Sequence, residues 1–111
     1  MIKVAFCDDD QLVLNDLCAF FDRYRAKSDH QIECAVFLSP LELMAEIEKG
    51  TRYDILFLDI LMPGETGINV AAEIRGYDSN VKIIFLTSSQ EYAVQSYTVG
   101  AHYYQLKPIR E

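Results

Sequence analysis

The stretch YDILFLD (Tyr53–Asp59) decides the fold that this sequence can adopt. Its centre is apolar at consecutive positions, so both faces of an extended chain would be buried. Such runs are typical of central strands in parallel sheets, which helices cover on both faces. An acidic residue, Asp59, ends the run, and Pro63, Gly64 and Gly67 mark a turn-rich loop after it. This segment therefore predicts an α/β protein.

Segments of strand and helix character alternate on both sides of this stretch. Short apolar and β-branched runs predict four further strands, over residues 2–7, 31–38, 81–87 and 102–107. Apolar residues at helical spacing, together with capping signals, predict four helices, over residues 11–26, 40–49, 68–75 and 88–99. The alternation leaves only short loops between the elements, with no repeat and no linker.

Capping residues support the predicted helix starts. Asp10 precedes the first helix, Ser39 and Glu42 form a capping box before the second, and Ser88 with Glu91 forms another before the fourth. Five strands alternating with four helices indicate an α/β doubly wound parallel sheet. Its strand order, 2-1-3-4-5, is taken over from flavodoxin-like folds. The sequence ends where a fifth helix would begin, so we expect the final helix to be missing or truncated.

Length and composition narrow the classes of protein to consider. A chain of 111 residues allows one domain, since domains span roughly 100–200 residues. The net charge of −7 argues against nucleic-acid contact by this segment, and no apolar stretch approaches the roughly 20 residues of a membrane span. Three scattered cysteines indicate reduced thiols, and hence a cytoplasmic location: Cys7, Cys18 and Cys34.

The unusual polar residues collect at the carboxyl ends of predicted strands, where open α/β sheets bind their ligands. They follow or end the first, third, fourth and fifth strands: Asp8, Asp9, Asp59, Thr87 and Lys107. Converging carboxylates repel one another, and their oxygens favour Mg²⁺ or another hard divalent cation. An Asp beside such a cation and a Lys is suited to attack a phosphoryl group, whose oxygens the Lys and a Thr hydroxyl could bind.

These motifs together resemble the receiver domain of bacterial two-component response regulators. The resemblance rests on Asp8-Asp9, the LDILMPGETG segment around Asp59, Thr87, and YQLKP with Lys107. It covers residues 1–111, the whole of that domain except its last helix. Within this family, the segment EYAVQSYTVGAHYYQLKPI is most similar to the receiver sequences of regulators with a LytTR-type DNA-binding output domain.

The resemblance implies a role for each matching residue. Asp59 is the phosphoacceptor, Thr87 and Lys107 contact the phosphoryl group, and Tyr104 is the aromatic switch residue that moves together with the Thr87 hydroxyl. Asp59 and Lys107 are thus the catalytic pair. Mg²⁺, or another hard divalent cation, is held by three carboxylates and one backbone carbonyl: Asp8, Asp9, Asp59 and Leu61.

The resemblance also implies partners. A sensor histidine kinase donates the phosphoryl group, and a C-terminal DNA-binding output domain outside this chain controls transcription. We expect no turnover of a separate substrate. The later strands are rich in apolar residues, among them Ile55, Phe57, Ile83, Phe85 and Leu106. Without a fifth helix, some of these would be uncovered on the side of the first helix. We therefore expect this chain to cover the patch as a homodimer, by pairing with a second copy or by exchanging elements with it.

Three alternatives remain to be compared with this interpretation. A haloacid-dehalogenase-like phosphatase also uses aspartates spaced like Asp8 and Asp10, but Leu12 stands where its motif has Thr or Val. A flavodoxin-like redox carrier needs a phosphate loop after the first strand, where aspartates would repel the flavin phosphate. A degenerate receiver would act only as an interaction module, which the complete set of acids, Thr and Lys disfavours.

Overall fold

A five-stranded sheet forms the centre of the molecule, which is described here by a computed structural model over residues 1–27, 31–62, 64–88 and 91–107. The five strands are β1 (Ile2–Cys7), β2 (Ile32–Phe37), β3 (Ile55–Leu58), β6 (Lys82–Thr87) and β7 (Tyr103–Leu106). A small antiparallel hairpin is formed by β4 (Leu61–Met62) and β5 (Glu65–Thr66). The helices are α1 (Gln11–Lys27), α2 (Pro40–Glu48), α3 (Gly67–Tyr77) and α4 (Ala93–Ser96).

The sheet is parallel throughout and its order is β2-β1-β3-β6-β7, which confirms the predicted order 2-1-3-4-5. Backbone hydrogen bonds continue past the strand ends and align their carboxyl termini. The Asp59 N–H donates to the carbonyl of Cys7 (3.0 Å), and the Lys107 N–H donates to the carbonyl of Thr87 (2.9 Å). The residues that follow these strands therefore lie along one edge of the sheet.

Apolar side chains fill both faces of the sheet, as the YDILFLD run predicts. The larger cluster lies on the side of α2 and α3 and includes Leu56, Ile83 and Phe85, all fully buried. The smaller cluster lies on the side of α1 and includes Val4 and Phe6.

The side of α1 carries an apolar groove of about 220 Å³ between that helix and the last strands. Its lining includes Phe20 and Phe21 of α1, Phe57 of β3, Ile84 of β6 and Tyr103 of β7. Of the apolar residues named from the later strands, some of which were expected on this side, Phe57 lines the groove. Ile83 and Phe85 face the other side, because alternate residues of a strand point to opposite faces.

Two helix caps are confirmed and one predicted helix differs. The Leu12 N–H donates to the Asp10 carboxylate (2.9 Å), and the Leu41 N–H donates to the Ser39 hydroxyl (3.2 Å). The fourth helix, predicted over residues 88–99, begins only at Ala93 and gives way to a 3₁₀ turn at Tyr97–Val99.

The predicted capping box before this helix is wrong, since the residue at the N-cap position is Tyr92, which makes no side-chain capping bond. Within the segment, the hydroxyls of Ser96 and Thr98 donate to backbone carbonyls three residues earlier (both 2.6 Å). Such local bonds compete with regular helix, which is consistent with the short α4. We call residues 91–100 the α4 segment. Residues 89–90 and Pro108, which belong to predicted elements, lie outside the described residues.

Within the described residues, no helix is both long enough and apolar enough to cross a membrane.

Gly67 provides a test of how tightly the loop after β3 is packed. A Cβ at Gly67 would lie 2.1 Å from the carbonyl oxygen of Asp59, whereas a Cβ at Gly76, in the same helix, would meet nothing within 4 Å. We expect Gly67→Ala to lower the free energy of unfolding by about 1–3 kcal/mol or more through backbone displacement. The matched Gly76→Ala should leave it unchanged or raise it by up to ~1 kcal/mol. Urea unfolding of both variants measures this, and equal stabilities would contradict the close approach.

Candidate functional site

One ammonium group joins two buried carboxylates at the carboxyl edge of the sheet. Asp8 follows β1 and is 2% exposed, and Asp59 follows β3 and is 5% exposed. The Lys107 Nζ, which reaches over from the end of β7, lies 2.8 Å from Asp8 Oδ2 and 3.5 Å from Asp59 Oδ2. The parallel register of neighbouring strands brings these residues together, although they are far apart in sequence.

Three carboxylates at this edge offer a set of ligand atoms for a cation. One oxygen each from Asp8, Asp9 and Asp59 lie within 4.8 Å of one another. Asp9 is exposed, whereas the other two are buried. A cluster made only of carboxylate oxygens, open to water through Asp9, fits the coordination chemistry of Mg²⁺, which keeps several water ligands. The donor set is therefore suited to the predicted cation.

Burial and like charge oppose ionisation of Asp59. Desolvation and the neighbouring charge of Asp8 raise the pKa of Asp59 to about 6, although Lys107 and the Leu61 N–H favour its charged form. That N–H lies 3.4 Å from Asp59 Oδ1. Desolvation lowers the pKa of Lys107, but its hydrogen bond to Asp8 and the charge of Asp59 outweigh this, so its pKa is raised and it stays an ammonium.

The predicted switch residues Thr87 and Tyr104 lie on the neighbouring strands β6 and β7. Thr87 ends β6 and is fully buried. Tyr104 is half-buried on β7 and pairs in register with Phe85, with the ring centroids 6.4 Å apart. Burial raises the pKa of Tyr104 above its usual value, although a hydrogen bond from the backbone of Tyr92 opposes part of this rise. This bond links the predicted switch residue to the first residues of the α4 segment.

Asp10 takes no part in the carboxylate cluster. Its carboxylate accepts the N–H of Leu12 at the start of α1 and is therefore used as a helix cap. The phosphatase motif would need Asp8 and Asp10 to act together, and this cap leaves Asp10 outside the group formed by Asp8, Asp9 and Asp59.

Sequence reasoning missed two features behind the carboxylates. Cys7 packs its Sγ 3.9 Å from the Sδ of Met62, and burial, followed by the charge of Asp8, raises the pKa of this thiol to about 12. The neutral thiol thus forms part of an apolar floor under the site. Gly67 begins α3 directly against the backbone of Asp59. A glycine at a helix start, eight residues after an acidic strand end, is the signal that could have identified it.

Sequence comparison identifies relatives across nearly the whole chain. Residues 4–111 match the family described as the response regulator receiver domain. The chain is 45% identical over 112 residues to the sensory transduction protein LytT of Oceanobacillus iheyensis, covering 99% of this chain and 44% of that protein. It is 37% identical over 117 residues to the transcriptional regulatory protein BtsR of Escherichia coli, covering all of this chain and 44% of that protein. The chain therefore spans less than half the length of these relatives.

Solved structures agree with the sequence relatives. The response regulator protein TrrA of Thermotoga maritima, solved in complex with Mg(2+)-BeF, superposes with a TM-score of 0.83 at 27% identity, covering 99% of this chain and 90% of that one. The response regulatory domain of protein mrkE from Klebsiella pneumoniae superposes with a TM-score of 0.84 at 26% identity, covering 98% and 85%. Family match, relatives and fold agree, and the chain belongs to the response regulator receiver domain family.

Proposed function

We propose that this chain is the phosphorylation-switched receiver of a transcriptional regulator, in which Asp59 accepts a phosphoryl group from a sensor histidine kinase. The observation that carries the proposal is the ion-paired cluster at the carboxyl edge of the sheet. Lys107 lies between the carboxylates of Asp8 and Asp59, and an oxygen of Asp9 lies within 4.8 Å of both. The Lys107 Nζ lies 0.7 Å farther from Asp59 Oδ2 than from Asp8 Oδ2.

The residues of this site have distinct tasks in the proposed reaction. The Asp59 carboxylate attacks the phosphorus of a phosphohistidine, so that an O–P bond forms while the P–N bond to the donor imidazole breaks. Lys107 binds an oxygen of the transferred group and offsets its charge. The ammonium is already held in place by Asp8, at 2.8 Å, and needs little rearrangement to act.

A divalent cation completes the proposal. Asp8, Asp9, Asp59 and the Leu61 carbonyl oxygen would hold it, with Asp9 as the direct carboxylate ligand. When bound, the cation offsets negative charge on the transferring oxygens. The cluster carries three carboxylates against one ammonium, and this surplus of negative charge supports a requirement for Mg²⁺ or another hard divalent cation.

Thr87 and Tyr104 carry the response in this proposal. The Thr87 hydroxyl bonds a phosphoryl oxygen after transfer, and the Tyr104 ring follows it inward. Tyr104 is linked to Tyr92 by a hydrogen bond, so a movement of its ring would be felt at the start of the α4 segment. This contact supports a switch surface formed by the α4 segment and β7.

The relatives suggest the partners. LytT is called a sensory transduction protein and BtsR a transcriptional regulatory protein, and both are more than twice as long as this chain. We propose a cytoplasmic regulator with a C-terminal LytTR-type DNA-binding output domain.

A second copy of the chain is the further partner we propose, packed on the groove lined by Phe57, Ile84 and Tyr103. Sedimentation across a concentration range, with a hydrophobic dye as a second probe, tests this, and a dye-silent monomer would contradict it.

The first functional prediction concerns the acceptor. Incubation with acetyl phosphate and Mg²⁺ should add one phosphoryl group, measured by intact mass. Asp59→Asn should abolish the adduct because its amide is not a nucleophile. Asp54→Asn is the matched control, since Asp54 is exposed, accepts the N–H of Lys3 at the other end of the sheet, and should leave the adduct intact. An adduct that persists in Asp59→Asn, or forms equally well in excess chelator, would refute the proposal.

The pH dependence of Asp59 follows from its surroundings. In cation-free protein, NMR of the Asp59 carboxyl should show a midpoint near pH 6, above the usual value for Asp, so the nucleophilic carboxylate is lost as pH falls through 6. Added MgCl₂ should lower the midpoint, since a cation favours the charged form. Lys107→Gln should raise it, because Lys107 also favours that form. A midpoint near 4 without cation would contradict this description.

Substitutions of Thr87 should distinguish phosphorylation of Asp59 from the conformational response to it. Thr87→Ala should still be phosphorylated but should show weaker chemical-shift changes at Tyr104 on addition of a phosphoryl mimic. Thr87→Ser keeps the hydroxyl at this buried position and should respond like the wild type. If Thr87→Ala and wild type respond identically at Tyr104, the proposed role of the hydroxyl is wrong.

A further inference from the structure

Arg75, near the C-terminal end of α3, donates hydrogen bonds to backbone carbonyls in two other segments of the chain. Its Nε donates to the carbonyl of Val99 (2.9 Å), and its Nη2 donates to that of Gly100 (2.9 Å). Its Nη1 donates to the carbonyl of Val81, just before β6 (2.6 Å). One guanidinium thus joins α3, the start of β6 and the end of the α4 segment.

The chain bends at the point where Arg75 holds it. Gly100 adopts a left-handed conformation (φ +68°), and a Cβ there would lie 3.6 Å from the Nε of Arg75. The next two amides are also bonded: the Ala101 N–H donates to the carbonyl of Ser96 (3.1 Å), and the His102 N–H donates to that of Ile83 (2.7 Å). The C-terminal end of the α4 segment is therefore held by several bonds around a sharp bend.

The helix that carries Arg75 begins at the carboxylate site. Gly67, the first residue of α3, donates its N–H to the carbonyl of Ile60 (2.7 Å), and its Cα lies against the Asp59 backbone. Arg75 lies eight positions after Gly67, which is about 12 Å along a helix. A single helix thus contacts the loop that holds Asp59 at one end and the α4 segment at the other.

We infer that Arg75 is a positioning residue for the phosphorylation response: it holds the C-terminal end of the α4 segment at Gly100, so that movement begun at Thr87 and Tyr104 becomes a rotation about that point. The inference rests on the proposed function, because it concerns how a signal from Asp59 is transmitted. A lysine cannot replace Arg75 in this role. Its single ammonium lacks the planar array of donors that reaches Val81, Val99 and Gly100 together.

Arg75→Lys in the full chain tests the inference, with Arg52→Lys as its matched control. The Arg52 Nη1 also donates to two backbone carbonyls, those of Ile47 and Thr51 (both 2.9 Å), but it lies away from the α4 segment. In the unphosphorylated protein, amide hydrogen exchange at Gly100 and Ala101 should be about tenfold faster in Arg75→Lys, given the usual contribution of a hydrogen bond to a charged donor. Arg52→Lys should leave these two amides as in the wild type.

A second variant reaches the same end of the segment independently. Gly100→Ala places a side chain at φ +68° and should also speed exchange at Ala101, while Gly76→Ala, with open space around its Cβ, should not. Equal exchange in Arg75→Lys and wild type, or an equal acceleration in Arg52→Lys, would overturn the inference.

The phosphorylated protein supplies the readout that a merely structural role would not move. By intact mass, Arg75→Lys should be phosphorylated as fully as the wild type, because Arg75 does not touch the carboxylate cluster. The phosphorylation-dependent shift changes over residues 93–104 should be smaller than in the wild type, and undiminished changes would overturn the inference. Failure of the wild type to form any adduct would instead contradict the proposed function, and the exchange measurements would still decide whether Arg75 holds the segment.

Discussion

The contact of Lys107 with Asp8 and Asp59 is the interaction on which the site depends. Asp8 and Asp59 are only 2% and 5% exposed, so water solvates their charges poorly. At about 4 Å and an effective dielectric near 20, like charges repel by roughly 4 kcal/mol. The ammonium offsets part of this repulsion, yet the pKa of Asp59 still rises to about 6. The folded chain therefore holds a surplus of negative charge that a cation or a proton relieves.

That arrangement is a consequence of the sheet. Asp8 and Asp59 become neighbours because β1 and β3 run parallel side by side, and Lys107 reaches them from β7, two strands beyond β3. The central strands β1, β3 and β6 are mostly apolar and largely buried. Their carboxyl ends are therefore the place where charged side chains can meet. A one-residue slip of β3 against β1 would turn Asp59 to the other face and remove it from Lys107. The register of apolar pairs such as Cys7 and Leu58 therefore also sets the geometry of the acids.

How much could be predicted from the sequence depended on the range of the interactions involved. The strands, the Asp10 and Ser39 caps and the placement of Asp8, Asp59 and Lys107 at one edge follow from local patterns and from a common topology. The start of α4 does not. Ser88 and Glu91 carry a capping signal, but Tyr92 occupies the cap position, and hydroxyls within the segment bond to its own carbonyls.

Three other features escaped prediction, because short elements and contacts with backbone groups leave little pattern in the sequence. The hairpin of Leu61–Met62 with Glu65–Thr66 has only two residues in each strand, too few for any periodicity to appear. Arg75 binds the carbonyls of Val99 and Gly100, 24 and 25 residues away, and no side-chain pattern marks those positions. The position of Gly67 at a helix start gives a sequence signal, but its close approach to the Asp59 carbonyl is seen only in the folded loop.

The backbone bond between the ends of β6 and β7 makes a discrete response more consistent with this structure than a gradual one. The Lys107 N–H donates to the carbonyl of Thr87, so the two residues proposed to bind the phosphoryl group are joined through their main chains. Beneath them, Phe85 is fully buried and packs against the ring of Tyr104. Densely packed side chains change between distinct arrangements rather than deforming continuously. A charge placed on Asp59 would therefore act on Thr87, Lys107 and the ring beneath them as one unit.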